Sequence, residues 1–337
     1  MKSERKYMER AIELARNGAG FVSPNPQVGA VVVAPDGRII GEGWHRRYGG
    51  PHAEVNAIAS VSPADEVLLP QSTIYVTLEP CSHYGKTPPC SLLLIQKKIK
   101  NVVVGAGDPF REVSGRGIKM LREAGINVTE HFMEAECMEL NRRFMTAHTL
   151  RRPWIQLKWA ESADGFIAAL NPAGERAPVA LSDSLTLVEM HRERAMTDAI
   201  LVGVNTLIAD NPSLTLRLWP GRHPRPVIFA SSRIPADAKV MERDPILLDP
   251  SKPLAENMTV LYERHGITSL MAEGGKAVLE SFIRAGLYDE IRVETSPAIL
   301  SHGLPSPAMP QNLVLKETRK IRNHLLSLWR CSGDNAK

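Results

Sequence analysis

Pro51-His52-Ala53-Glu54 and, about 25 residues later, Glu79-Pro80-Cys81-Ser82-His83-Tyr84-Gly85-Lys86-Thr87-Pro88-Pro89-Cys90 decide how the first half of this chain is read. His52 stands where a helix is expected to begin, and Glu79-Pro80-Cys81 follows an expected strand. One imidazole and two thiolates give a zinc ion three ligands and leave a fourth tetrahedral position open for water, as in a catalytic site; a structural site closes it. Zinc lowers the pKa of such a water toward neutrality. Glu54, two residues past His52, is placed to take the water's proton and pass it to a departing amine without binding the metal. Proline is common at helix starts, where the positive end of the dipole favours a thiolate. Pro80 and Pro88-Pro89 therefore predict that all three ligands sit at helix termini. Scattered buried cysteines and a surface histidine are the plain alternative. Three ligand types, an adjacent carboxylate and the preceding prolines coinciding argue against it.

Outward from this stretch the pattern alternates. Residues 28–34 (VGAVVVA) form an apolar, β-branched run that stops at Pro35-Asp36-Gly37, and an extended pattern resumes at 38–41, which predicts a hairpin. A helix over 53–59, a strand over 73–78, a helix after Pro89, a strand over 101–105 and a helix over 117–124 follow. This order implies a mixed sheet covered by helices. The N-terminal segment reads as an amphipathic helix, with Tyr7, Met8, Ala11, Ile12, Leu14 and Ala15 near one face. It lacks the long apolar core of a signal peptide.

At 337 residues the chain exceeds one usual hydrophobic core, and two domains are expected. Residues 141–152 lose strand character and turn polar and basic before a new strand at 154–159. The boundary is therefore drawn near 148, giving domains 1–147 and 148–337. The second half alternates again: a helix over 185–194, strands over 199–204, 226–229 and 268–272, a helix over 276–285 and a strand over 290–295. Residues 212–226, rich in Pro and Arg, read as an ordered surface loop. Both halves are thus α/β.

Composition narrows the functional class. With 43% hydrophobic and 23% charged residues the chain is an ordinary globular protein, and a net charge of +4 suits an anionic small molecule. No Lys/Arg block marks a nucleic-acid or membrane surface, and no apolar run reaches the length of a membrane span. The four cysteines, Cys81, Cys90, Cys137 and Cys331, suggest no disulfide framework, so the cytoplasm is the expected compartment.

The motif set resembles the zinc-dependent nucleobase and nucleoside deaminases, which carry H-x-E followed by P-C-x-x-C. Eight residues rather than two separate Cys81 from Cys90, and that spacing, with HYGKTPPC inside it, resembles the deaminase domain of the bifunctional riboflavin-biosynthesis deaminase–reductases. Ser23-Pro24-Asn25-Pro26-Gln27-Val28-Gly29 and Gly41-Glu42-Gly43-Trp44-His45, followed by Gly50-Pro51-His52, resemble the same family's SPNPxVG and GxGxH…HAE runs. The resemblance implies a cytidine-deaminase-like first domain. In it Asn25 would hold the pyrimidine edge, and His45, His83 and Lys86 would reach the substrate and its phosphate. Asn25 as a simple turn between prolines and Lys86 as a solvated charge are the plain alternatives.

In the second half Lys158-Trp159-Ala160-Glu161-Ser162-Ala163-Asp164-Gly165, Gly203 through Pro212 and Glu273-Gly274-Gly275 lie at strand ends. Glycine at a strand-to-helix junction lets backbone N–H groups approach a pyrophosphate at a helix N-terminus. No GxGxxG fingerprint is present, so a Rossmann domain is not indicated. Taken in order these segments resemble the same family's reductase domain, which implies a dihydrofolate-reductase-like fold and NADPH. Ala160, Thr206, Asp210, Ser231, Gly275, Lys276 and Ala277 would then line the cofactor site. Arg194, Leu214, Arg217 and Glu273 would face the substrate, arginine suiting a phosphate through its planar fork. Pro178-Val179-Ala180-Leu181-Ser182 replaces a Trp-Ile-Thr run of many members, so a tryptophan expected on the cofactor is absent.

The resemblance implies two consecutive steps: hydrolytic deamination of a phosphoribosylaminopyrimidine, then NADPH-dependent reduction of its ribosyl group to ribityl. A small-molecule substrate, no nucleic acid, no membrane, and a homo-oligomer formed through the reductase domain are expected with it. Two alternatives stay open: a deaminase joined to a non-catalytic reductase-like module, and a nucleobase or nucleic-acid deaminase. The long cysteine spacing and 5% aromatic content disfavour the nucleic-acid reading.

Overall fold

The β-branched run after Val28 folds back on itself as expected. β1 (Gly29–Val33) and β2 (Ile39–Trp44) pair antiparallel, with Gly37 at φ 86° in the turn between them. The computed structural model describes residues 2–84, 88–109, 115–177 and 179–331, and the chain divides into two compact units, 1–150 and 151–337.

In the first unit α1 (Lys2–Arg16) precedes the hairpin, and α2 (Ala53–Ala59), β3 (Thr73–Leu78), α3 (Cys90–Gln96), β4 (Asn101–Ala106), α4 (Arg116–Glu123), β5 (Asn127–Thr129), α5 (Glu134–Leu140) and α6 (Arg142–Leu150) follow. The sheet order is β2-β1-β3-β4-β5, with β3, β4 and β5 parallel. Alternation along the strands builds two cores. Ala30, Val32, Ile74, Val76, Val102 and Val104 face Ala57, Leu94, Ile118 and Leu121. Val31, Val33, Tyr75 and Val103 face Tyr7, Met8, Ala11, Ile12, Leu14, Cys137 and Met145. Each fully buried aliphatic side chain contributes about 1.5–3 kcal/mol. Residues 141–152, which lose strand character in the sequence, hold α6. Only Met145 and Ala147 of that helix are buried, an inner face too narrow to give an apolar period.

The second unit runs β6 (Trp154–Glu161), β7 (Phe166–Leu170), β8 (Arg176–Ala177), α7 (Ser184–Ala195), β9 (Ala199–Val202), α8 (Val204–Asp210), β10 (Arg225–Phe229), β11 (Ile246–Leu248), α9 (Leu254–His265), β12 (Ser269–Ala272), α10 (Lys276–Arg284), β13 (Glu290–Thr295), β14 (Gly303–Pro305), β15 (Leu313–Ile321) and β16 (His324–Cys331). Its main sheet has the order β11-β10-β9-β12-β6-β13-β16-β15, parallel from β11 to β13 and closed by the antiparallel β16 and β15. Ile155, Leu157, Ala199, Leu201, Leu270, Ala272, Ile291 and Val293 pack on Met258, Leu261, Leu279 and Phe282. Among the residues that alternate with these, Gln156, Glu290, Arg292 and Glu294 are buried and polar. Glu290 accepts from Gln156 and Arg330, Arg292 lies 3.4 Å from Glu193, and Glu294 accepts from the Ser182 hydroxyl. Both units are α/β, as expected from the sequence.

Candidate functional site

In the first unit three elements deliver the sulfur and imidazole groups. His52 is the residue before the first turn of α2, with φ −72° and ψ 168°. Cys90 opens α3 directly after Pro89, which lacks an N–H and so leaves no donor unsatisfied at a helix start. Cys81 lies on extended chain past β3, not at a helix terminus as expected. Its sulfur instead accepts the Cys90 N–H at 3.3 Å, and its carbonyl accepts the Ser91 hydroxyl at 3.0 Å, so the start of α3 holds it from outside.

His52 Nδ1 lies 3.6 Å from Cys81 Sγ and 3.4 Å from Cys90 Sγ, and the three ligand atoms all lie within 4.8 Å of one another. Zn–N near 2.0 Å and Zn–S near 2.3 Å in a tetrahedron separate N and S by about 3.5 Å. The donor set therefore fits zinc in both chemistry and spacing. Cys81 is pulled down to about 4, first by the Cys90 thiol it faces and then by His52, and the same pairing pushes Cys90 up. Glu54, in the first turn of α2, is 3% exposed; burial pushes its carboxyl up to about 7, and the neighbouring Cys81 charge adds to this.

Around this centre the structure orders residues 25–51. His45 is buried: its Nδ1 lies 3.0 Å from the Pro51 carbonyl and its Nε2 3.1 Å from Asn25 Nδ2. The carbonyl requires Nδ1–H, so Nε2 accepts from the Asn25 amide and Asn25 Oδ1 is turned away from the ring. Asn141 clamps the same segment by exchanging two 2.8 Å hydrogen bonds with the Gln27 backbone. The sequence did not single out Asn141, which sits 114 residues from its partner. His83 is exposed, and Lys86 lies outside the described residues.

Glu79 is the other residue whose part sequence reasoning missed. Buried behind Cys81, its carboxylate accepts the N–H groups of Gly115, Gly117 and Ile118 at the start of α4. Gly117 lies so close that a Cβ there would sit 1.9 Å from the Pro80 carbonyl oxygen, a contact only glycine permits.

In the second unit two strand-to-helix junctions converge at the carboxyl ends of the neighbouring parallel strands β9 and β12. Gly203 leads into α8. Gly275, at φ 53°, leads into α10. Gly274 presses against the first junction, a Cβ there falling 3.0 Å from Gly203 N. Thr206 Oγ1 is buried at this convergence and has no hydrogen-bond partner among the described residues. A cradle of close backbone with an orphaned hydroxyl suits a polar cofactor. Lys276 and Ala277 continue the second junction, with the Lys276 ammonium 3.7 Å from Glu280. Ala160 is half-buried on β6, and the Ser231 hydroxyl accepts the Arg233 N–H across its own turn.

Beside the junctions, Arg194 on α7 makes a two-pronged pair with Glu273, Nε to Oε1 at 2.8 Å, with both side chains under 10% exposed. Burial pushes the Lys158 ammonium down, opposed by Glu273 and Glu294. Its position on the polar side of β6, alternating with Leu157 and Trp159, was the available sequence signal. A cavity of about 290 Å³ is lined by Arg194, Asp210, Leu214 and Arg217, all expected from the sequence, and by Met190 and Lys239, which were not. Leu214 is held at φ 51°, its carbonyl accepting Arg243 Nη1 at 3.0 Å.

Comparison with known proteins places both units. Residues 1–106 match the family model for the cytidine and deoxycytidylate deaminase zinc-binding region, and residues 153–336 match that for the RibD C-terminal domain. The chain is 38% identical over 325 residues to riboflavin biosynthesis protein RibD of Aquifex aeolicus, covering 89% of each chain. Against the Escherichia coli protein of the same name it is 34% identical, covering 87% of this chain and 88% of that one. The crystal structure of a diaminohydroxyphosphoribosylaminopyrimidine deaminase/5-amino-6-(5-phosphoribosylamino)uracil reductase from Thermotoga maritima superposes with a TM-score of 0.87 at 36% identity, covering 98% of this chain and 99% of that one.

Proposed function

The chain belongs to the RibD family of riboflavin-biosynthesis proteins, and we propose on that footing that its two units act in turn on one phosphoribosylated pyrimidine. The first unit is a zinc-dependent deaminase and the second an NADPH-dependent reductase. The substrate of the first, in this reading, is 2,5-diamino-6-(5-phosphoribosylamino)pyrimidin-4(3H)-one. Its deaminated product, 5-amino-6-(5-phosphoribosylamino)uracil, is then reduced at the ribosyl group to ribityl. The deaminase is assigned to residues 1–147 and the reductase to 148–337.

The observation that carries the reading is the His52, Cys81 and Cys90 triangle with Glu54 buried beside it. These three side chains would hold zinc, which when bound would acidify a water molecule. Glu54 receives the proton that water loses and returns it to the leaving nitrogen, which departs as ammonia. Burial, which raises the Glu54 carboxyl above the ordinary carboxylate range, favours its holding a proton between the two transfers. Asn25 Oδ1, turned outward by His45, accepts from the pyrimidine edge. His83 and Lys86 are assigned to the substrate and its phosphate.

In the second unit NADPH, when bound, would supply the hydride for ribose C1′. The chain's residues position both partners for it. Thr206, Gly275, Lys276 and Ala277 at the two junctions, with Ala160, Asp210 and Ser231, hold the cofactor. Arg194, Leu214, Arg217 and Glu273 hold the substrate, with the phosphate in the arginine-lined cavity. Self-association through the reductase unit and residence in the cytoplasm complete the proposal. Among the described residues no helix is long and apolar enough to cross a membrane. The test is a turnover assay that follows the half-reactions separately. Ammonia release together with NADPH loss on the deaminated product is the expected result. Deamination without NADPH oxidation would reduce the second unit to a binding module.

A further inference from the structure

Residues 211–217 form the wall of the cavity that carries Arg217, and their backbone is held in a conformation that sequence alone would not adopt. Asn211 and Leu214 both lie in the left-handed region, at φ 36° and φ 51°. Asparagine takes this region readily at a helix end, but in leucine such geometry persists only where the surroundings over-determine it. The carbonyls of Ser213 and Leu214 both accept from Arg243 Nη1, at 3.1 and 3.0 Å. Further along the loop two successive amides each find a histidine: the Leu216 N–H donates to His223 Nδ1 at 3.1 Å, and the Arg217 N–H to His191 Nδ1 at 3.3 Å.

The two histidines differ. His223 is exposed and close in sequence, whereas His191 is 1% exposed and lies on α7, one turn before Arg194. A backbone amide can only donate, so His191 Nδ1 must carry a lone pair and its proton must sit on Nε2. Nε2 is buried with no hydrogen-bond partner among the described residues. An orphaned donor of this kind costs free energy, and a residue that merely filled space would not incur it. The charged groups around the ring are Arg194, Arg217 and Glu273; burial first, then the two arginines, push its pKa down to about 4, which keeps the ring neutral and able to accept. His191 thus ties the backbone of one cavity arginine to the helix that bears the other.

We propose that His191 is a positioning residue of the reductase half, its neutral ring gripping the Arg217 amide and so fixing the spacing of the Arg194 and Arg217 guanidinium groups that receive the substrate's phosphate. The proposal rests on the reading of this cavity as the phosphate site. Arg194 is already clamped by Glu273, so Arg217 is the cation whose place depends on the loop. Among the described residues its other restraint is a 3.2 Å hydrogen bond from Nη1 to Ser213 Oγ, which belongs to the same loop.

The test uses the full-length protein and steady-state kinetics of the second half-reaction with His191→Asn, His191→Gln, His191→Phe and Arg217→Ala. Asparagine offers an oxygen where Nδ1 lies, glutamine offers one where Nε2 lies, and phenylalanine keeps the ring without an acceptor. His191→Phe and His191→Gln should raise KM for 5-amino-6-(5-phosphoribosylamino)uracil about tenfold, the scale of one hydrogen bond left unmade, with KM for NADPH unchanged. His191→Asn should stay within about twofold of the parent. Long-range proton–nitrogen NMR of labelled histidine at neutral pH should show Nδ1 of His191 unprotonated. Equal behaviour of the Asn, Gln and Phe variants, a parallel rise in KM for NADPH, or a protonated Nδ1 would each overturn the proposal. An unchanged KM in Arg217→Ala would overturn the phosphate reading itself and the proposal with it. Loss in Arg217→Ala beside a normal His191→Phe would overturn the proposal alone.

Discussion

The Glu79 carboxylate accepts the Gly117 amide at 3.0 Å, joining the strand exit that delivers Cys81 to the first turn of α4. With Gly115 and Ile118 also bound, one side chain satisfies three amides that the helix cannot satisfy itself. Glu79→Ala should lower the stability of the first unit by about 1–3 kcal/mol and weaken its hold on zinc, as read by chemical unfolding and metal content. Gly117→Ala, which drives a methyl into Pro80, should do the same. Full zinc content with parental stability in both variants would refute this linkage.

Metal binding and proton transfer fall on different side chains and should separate on mutation. Cys90→Ala should lose zinc and deamination together, whereas Glu54→Gln should keep zinc and lose deamination by about 10²–10⁴-fold. NADPH-dependent reduction should survive in both. Retained deamination in Glu54→Gln would remove Glu54 from the proton path.

Removing zinc with a chelator should stop ammonia release while leaving NADPH oxidation on the deaminated product intact. All the ligands lie within the first unit. A parallel loss of both activities, restored by zinc, would show the two units to be energetically coupled.

Arg194 and Glu273 form a buried pair, and breaking it from one side strands a charge. Glu273→Ala should destabilise the second unit by about 3–5 kcal/mol. The double variant Arg194→Met with Glu273→Leu should recover most of that stability yet remain unable to reduce substrate. Urea midpoints and NADPH consumption measure the two effects. Activity in the double variant would remove both residues from the substrate site.

His191 also makes stability depend on pH. Its folded-state pKa of about 4 lies below the ordinary 6.5, so between those values the unfolded chain binds a proton that the folded chain does not. Acidification through this window therefore favours unfolding. His191→Asn cannot titrate, and its melting temperature relative to the parent should rise as pH falls from 6.5 toward 4. A gap that stays constant with pH would show that the ring titrates normally.

Much of the fold was legible because local signals agreed with tertiary need. Pro35-Asp36-Gly37 marked a real turn, the apolar positions of the N-terminal helix are all buried, and His52, Cys81 and Cys90, read together in the sequence, meet in space. What stayed hidden was either thin or distant. α6 buries too narrow a face to show a period, and exposed β15 has no alternation to read. Val204, expected to end a strand, begins α8, because the chain turns at Gly203. Glu79 reaches 38 residues ahead to Gly117, Asn141 reaches back 114 to Gln27, and His191 meets Arg217 26 residues on. Such pairings are created by strand order, which periodicity does not encode.

The alternation along β13 bears on folding fidelity as well as on the site. Glu290, Arg292 and Glu294 point to one side and Ile291 and Val293 to the other. A slip of one residue against β6 would thrust three charges into the apolar layer and strand their partners on the opposite side. Mispaired versions of this sheet are thereby penalised twice, once for charges in oil and once for ions left without counter-ions. This interior strand thus favours its own register before any ligand is present.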